Sequence, residues 1–244
     1  MIAFETTVGG IAAEFPAAIA VFERHHIDYC CGGNRTFAEA CRDRGLAPEL
    51  VAAEIEAAHR TTPMPAEDWT QASLGKLLHH ILEAHHAYLR AELPALEQRL
   101  AKTLEAHAAA HGDMLGQLQQ TFLALSEEIY GHLHKEERIL FPFIREMEAA
   151  QLEGRTPPQA PFGALENPIR VMRREHDGAA AALLQMRRIT RDYTLPPDAC
   201  PTFEALYRGL EGLEADLHRH IHLENNILFP RAIQAESDRA PTIL

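Results

Sequence analysis

The chain has 244 residues, 46% of them hydrophobic, enough apolar material for one large domain or one domain with a small companion. Its formal net charge of −12 argues against nonspecific nucleic-acid binding, which rests on lysine and arginine neutralising phosphate. No apolar run approaches the ~20 residues needed to span a bilayer, and "MIAFETTVGG" lacks the basic start and apolar centre of a secretory signal, so a soluble, cytoplasmic protein with no membrane contact is expected.

Strand-like alternation of Val, Ile and Thr nowhere runs long, while the helix formers Ala, Leu, Glu, Arg and Gln dominate. The expected fold class is all-α. Residues 1–60 read as a small helical domain. Thr7 caps a short helix, and Pro16 opens a second through "AAIAVFERHH". "IDYCCGGNR" is a turn by its glycines, and Gly32-Gly33 let backbone approach closely. Thr36 and Glu39 form a capping box for the next helix, Gly45 ends it, and Pro48 starts the last one. Residues 61–72, containing "TTPMPAEDW", read as a linker.

Of the four cysteines, Cys30 and Cys31 are adjacent while Cys41 and Cys200 stand alone, which is no disulfide framework. Adjacent cysteines close only a strained ring. Cys30 and Cys31 are candidate redox or docking thiols; two small residues in a tight turn is the plainer alternative. Cys41 and Cys200 are expected to be buried packing residues.

Residues 73–244 carry four long helices, roughly 70–101, 112–148, 168–192 and 201–235, with Asn167 expected as the cap of the third and Pro168 at its first position. Their apolar stripes step by three and four. The first runs Leu78, Leu82, His86, Leu89, Leu93. The second runs from Leu115 through His132, Glu136, Ile139 and Phe143. The third holds Ile169, Met172, His176 and Leu183, and the fourth holds Leu213, Leu217, His220, Glu224 and Ile227. Four such stripes with modest loops imply an up-down four-helix bundle.

The stripes contain a repeated phrase: "GHLHKEERILFP" from Gly131 and "RHIHLENNILFP" from Arg219. The repeat is larger than the phrase, because His86 precedes His132 by 46 residues and His176 precedes His220 by 44. Each half therefore supplies one lone histidine and one His-x-x-x-Glu pair, whose i, i+4 spacing places both side chains on one helix face. An isolated carboxylate does not belong in a bundle interior unless something compensates it. Four imidazoles and two carboxylates suit two metal ions, each glutamate bridging both, and this mixed nitrogen and oxygen set favours iron. A single inward histidine is usually a hydrogen-bonded core residue, but a set of six in repeat register is not explained that way. His218 and His222 also stand i, i+4, on a stripe that reads as polar and solvated with Asn225. His79, His85 and His134 are weaker competitors. Glu128 and Glu175 are candidates to orient a ligand from behind or to offer iron a way out; a solvated face is the plainer reading.

Residues 75–235 resemble a hemerythrin-type bundle. Over nearly its full length the chain resembles the repair-of-iron-centres (Ric) family, through "IDYCCGGNRTF", "HKEERILFP", "REHD" and "HIHLENNILFP". The resemblance implies a di-iron stress-response protein with His86, His132, Glu136, His176, His220 and Glu224 as ligands. Two irons with an oxo or hydroxo bridge are its expected cofactor. Expected partners are damaged iron–sulfur proteins or apo-cluster acceptors, with nitric oxide or dioxygen as small ligands. The expected role is repair of centres damaged by nitric oxide or oxidation, by iron donation or redox chemistry. A dioxygen or nitric-oxide carrier or sensor, and a di-iron oxidase or nitric-oxide reductase, would use the same six ligands. The sequence leaves these open, as it does the choice between monomer and homodimer.

Overall fold

The computed structural model describes residues 2–63, 66–156 and 158–238. Among the described residues every regular element is helical, apart from one isolated antiparallel bridge between Thr7 and Thr36. No described helix is long and apolar enough to cross a membrane. The chain divides into two compact units. One comprises the described parts of Met1–His79, Ile144–Ile169 and His218–Leu244; the other comprises His80–Phe143 and Arg170–Leu217.

In the first unit, α1 (Val8–Glu14) starts where the Thr7 hydroxyl accepts from Gly10 N–H at 3.2 Å. Next come α2 (Ala18–Arg24), α3 (Phe37–Asp43) and α4 (Pro48–Thr61). The Thr36–Glu39 capping box opens α3, and Gly45 follows its end with φ +68°, a conformation that favours glycine. Val8, Ile11, Phe22, Phe37, Val51 and Ile55 form the core of these helices, joined by Ile221. The N–H groups of Leu74 and Gly75 donate to Glu148 at 2.6 and 2.7 Å, satisfying the start of α5 (Leu74–His80). Met64 and Pro65 of the expected linker lie outside the described residues.

The second unit holds α6 (Ala87–Lys135) and, beyond α7 (Phe141–Leu152), most of α8 (Glu166–Thr190) and α9 (Pro201–His222). A straight helix would separate His86 from His132 by about 70 Å, yet His86 Nε2 lies 3.4 Å from Glu136. The chain therefore doubles back within α6. The break is at His107, whose φ −118° and ψ 15° are not helical. The two expected helices 70–101 and 112–148 are thus arms of one hairpin with a very short tip. Leu89, Leu96, Leu118, Phe122, Leu183, Phe203, Leu210 and Leu213 share the core of this unit. The expected cap at Asn167 is not seen: α8 already starts at Glu166, and the Asn167 amide donates back to the Phe162 carbonyl at 3.0 Å.

Candidate metal centre

Three π-helical segments carry His86, Glu136 and Glu224, three of the six candidate ligands: Ile81–His86, Glu136–Leu140 and Leu223–Leu228. In each, an N–H reaches five residues back: Ala87 to Leu82, Phe141 to Glu136, and Phe229 to Glu224. The repeated Leu-Phe-Pro gives the physical cause for two of them. A helical proline clashes with the carbonyl four residues before it. For Pro142 and Pro230 those carbonyls belong to Arg138 and Asn226, both inside the widened turns. A π turn also adds one residue to the helical register. The inner face beyond Glu136 therefore runs through Leu140, Phe141, Ile144 and Met147, while Ile139 is 50% exposed. Likewise Ile81 is buried where Leu82 was expected. The expected stripes were wrong at Leu82, Ile139 and Phe143 for this reason.

The ligand atoms of His86, Glu136, His220 and Glu224 lie within 4.8 Å of one another, and so do those of His132, Glu136, His176 and Glu224. These are the six residues in repeat register, and both glutamates belong to both groups. Glu136 and Glu224 are fully buried. His132 Nε2 stands 3.3 Å from Glu136 Oε1 and 3.1 Å from His176 Nε2, while His220 Nε2 stands 3.0 Å from Glu224 Oε1. Two buried carboxylates ringed by imidazole nitrogens fit a pair of cations shared by both glutamates, and the donor set suits iron.

Two further carboxylates orient the rings. His86 Nδ1 is 3.0 Å from Glu137, which also accepts from Arg90 at 2.8 and 2.9 Å. His132 Nδ1 is 2.9 Å from Glu175, which also accepts from Lys135. An ionised carboxylate only accepts, so each Nδ1 carries the proton and each Nε2 keeps its lone pair for a metal. Partial burial works against ionisation of Glu137, but the hydrogen bonds from Arg90 and His86 outweigh it and hold the carboxyl below its usual range. The His132 hydrogen bond, helped by Lys135 against partial burial, lowers Glu175 to about 2. Glu137 escaped sequence reading because it follows Glu136 directly and resembles a solvated acid. Glu128 is exposed beside Gly178 and belongs to neither group. His79 and His134 are exposed, and buried His85 pairs with Asp216 at 2.9 Å.

The stripe expected to be solvated is not. His222 is 2% exposed, and burial lowers its pKa to about 4. His218 meets Glu23 at 2.9 Å. Asn225 and Asn226 donate to the carbonyls of Cys30 and Tyr29 at 3.3 and 2.9 Å, so the two residues after Glu224 hold the paired-cysteine loop. A Cβ on Gly33 would stand 2.5 Å from Asn226 Oδ1, and one on Gly9 would stand 2.2 Å from it. Asp28 braces the turn by accepting from Cys30 and Cys31 N–H at 3.1 and 3.0 Å. The two thiols form no disulfide, and their sulfurs lie 3.9 Å apart. Cys31 is partly exposed and Cys30 buried; the neighbouring Cys31 and burial hold the Cys30 thiol well above its usual range. Cys41 is buried as expected, but Cys200 is partly exposed and lies 3.2 Å from His107 Nε2.

A family model described as the Hemerythrin HHE cation binding domain matches residues 77–232. Another, described as a Domain of Unknown function (DUF542), matches residues 4–59. The chain is 37% identical over 232 residues to the iron-sulfur cluster repair protein YtfE of Dickeya chrysanthemi (strain Ech1591), covering 95% of this chain and 98% of that one. Identity is also 37% over 230 residues to the protein of that name from Escherichia coli O157:H7, covering 94% and 97%. It is 37% again over 229 residues to that of Cronobacter sakazakii (strain ATCC BAA-894), covering 94% and 96%.

Proposed function

Because this chain belongs to the family of the iron-sulfur cluster repair proteins named YtfE, we propose that it repairs iron–sulfur clusters damaged by nitric oxide or oxidation. His86, His132, Glu136, His176, His220 and Glu224 would hold two irons. The observation that carries the reading is the presence of both glutamates in both ligand groups. Two shared carboxylates offset part of the charge of two cations, and an oxo or hydroxo bridge would offset more. The iron pair would supply redox chemistry, or would itself be the cargo delivered to a damaged centre.

The chain's own residues would set how firmly iron is held. Glu137 and Glu175 fix the His86 and His132 rings with Nε2 inward, which raises their basicity. The paired-cysteine loop, strapped by Asn225 and Asn226, would present Cys31 to an acceptor while Cys30 stays protonated. We assign residues 1–60 to this Cys-Cys domain, 61–72 to a linker and 73–244 to the metal-binding bundle, supported by the family matches over 4–59 and 77–232. Action in the cytoplasm, as monomer or homodimer, belongs to the same proposal.

The test is transfer. Iron-loaded protein is mixed with an apo-cluster acceptor, sulfide and a reductant, and acceptor activity and iron position are followed. The proposal expects iron to leave this protein as acceptor activity returns. Iron that stays put while nitric oxide or dioxygen binds reversibly would instead identify a carrier or sensor.

A further inference from the structure

A second cluster of metal-ligating side chains lies at the tip of the α6 hairpin. His107 and His111 stand i, i+4 across the break, and their ligand atoms lie with that of Asp198 within 4.8 Å of one another. His111 Nε2 meets both oxygens of Asp198, at 2.9 and 3.1 Å. Cys200 lies outside that trio, but its sulfur is 3.2 Å from His107 Nε2. Asp198 and Cys200 belong to the connection between α8 and α9, which Pro196, Pro197 and Pro201 stiffen. Phe203 fixes both rings from one side, with its centroid 5.2 Å from that of His107 and 5.9 Å from that of His111.

The backbone is irregular on both sides of this cluster. His107 is the non-helical residue of α6. On the facing connection Arg191, Asp192 and Tyr193 all have φ between 52° and 55°, a left-handed run that non-glycine residues seldom adopt. The His107 break turns the hairpin that brings His86 to Glu136, but His107 itself is about 30 Å along the helix from His86, so its side chain is left for another role. Two imidazoles, a carboxylate and a thiol are the donor types that tetrahedral zinc accepts. The iron-favouring set has no sulfur, so the two clusters differ in chemistry.

We propose that His107, His111 and Asp198, completed by Cys200, form a second metal site for a divalent ion of the zinc class. The ion would clamp the tip of the α6 hairpin to the connection between α8 and α9. This proposal does not depend on the repair function.

The experiment uses the full chain loaded with iron. It is titrated with Zn²⁺, desalted, and its zinc and iron are counted. About one zinc per chain is expected with iron content unchanged. His111→Gln and Asp198→Asn should each weaken zinc binding at least about tenfold, with the helical circular dichroism retained. Co²⁺ in place of zinc should give a thiolate charge-transfer band that Cys200→Ser removes. If a variant fails to fold, protection of Cys200 from iodoacetamide by Zn²⁺ in the unaltered chain decides the question. Zinc binding equal in variant and unaltered chains, zinc entry only by displacing iron, or a Cys200 that zinc leaves reactive would overturn the site.

Discussion

The side-chain amide of Asn226 donates to the backbone carbonyl of Tyr29 at 2.9 Å, so a residue two places beyond Glu224 holds the residue just before Cys30. A single π turn thus carries the proposed iron ligand Glu224 and the strap for the thiol loop at Asn225 and Asn226. Replacing Asn226 with alanine should free the loop without touching a ligand. The expected result is faster alkylation of Cys30, which is now buried, at unchanged iron content. Gly33→Ala should have the same effect, because its new Cβ would meet Asn226 at 2.5 Å.

The carboxylates behind the histidines make a second prediction. Glu137→Gln and Glu175→Gln leave the six proposed ligands in place but weaken the acceptors that fix the ring tautomers. Iron affinity should fall ten- to a hundredfold for each, read by competition with a chromophoric chelator. Glu128→Gln, on the exposed face, should leave the affinity unchanged.

The π turn at Glu136–Leu140 should be a requirement of the metal centre rather than of the bundle. Deleting exposed Ile139 together with Pro142→Ala removes the extra residue and the proline that needs it. Leu140, Phe141 and Ile144 then return to ordinary helical spacing behind Glu136. Circular dichroism should stay helical while iron content collapses. Full iron content in this variant would show that the widened turn is dispensable.

Cys200 provides a pH test on metal-free protein. The hydrogen bond with His107, with smaller help from backbone N–H groups, lowers its thiol to about 7. A lowered thiol pKa means that thiolate persists to lower pH. Alkylation of Cys200 should therefore reach half its maximum near pH 7, and His107→Ala should move the midpoint up toward the ordinary thiol range of about 8.5. Burial raises Cys41 to about 11, so it should react only after unfolding at neutral pH.

The parts legible in the sequence were those set by local spacing. Thr36 with Glu39, Gly45 and Pro48 announce the N-terminal helices through caps that need no distant partner. The two His-x-x-x-Glu pairs and the matched intervals before them single out the same six residues that the fold gathers into two groups able to hold a metal. What escaped depends on contacts far along the chain or on a change of helical period. Asn225 looked solvated because the carbonyl it binds is 195 residues away. Glu137 looked like a surface acid because His86 lies on the opposite arm of a hairpin, 51 residues upstream. Leu82 and Ile139 were placed inward because a constant period of 3.6 cannot register an inserted residue. The proline that ends each repeated phrase was the available sign of that insertion at two of the three turns.

The central claim is that the six inward residues hold two irons. The direct measurement is iron content and the visible spectrum of protein expressed with iron, beside the His132→Ala, Glu136→Ala double variant. About two irons per chain, with near-ultraviolet charge-transfer bands that the double variant lacks, is the predicted result. A folded, metal-free protein that cannot be loaded with iron would contradict it, and would leave the repeated phrase as a packing motif alone.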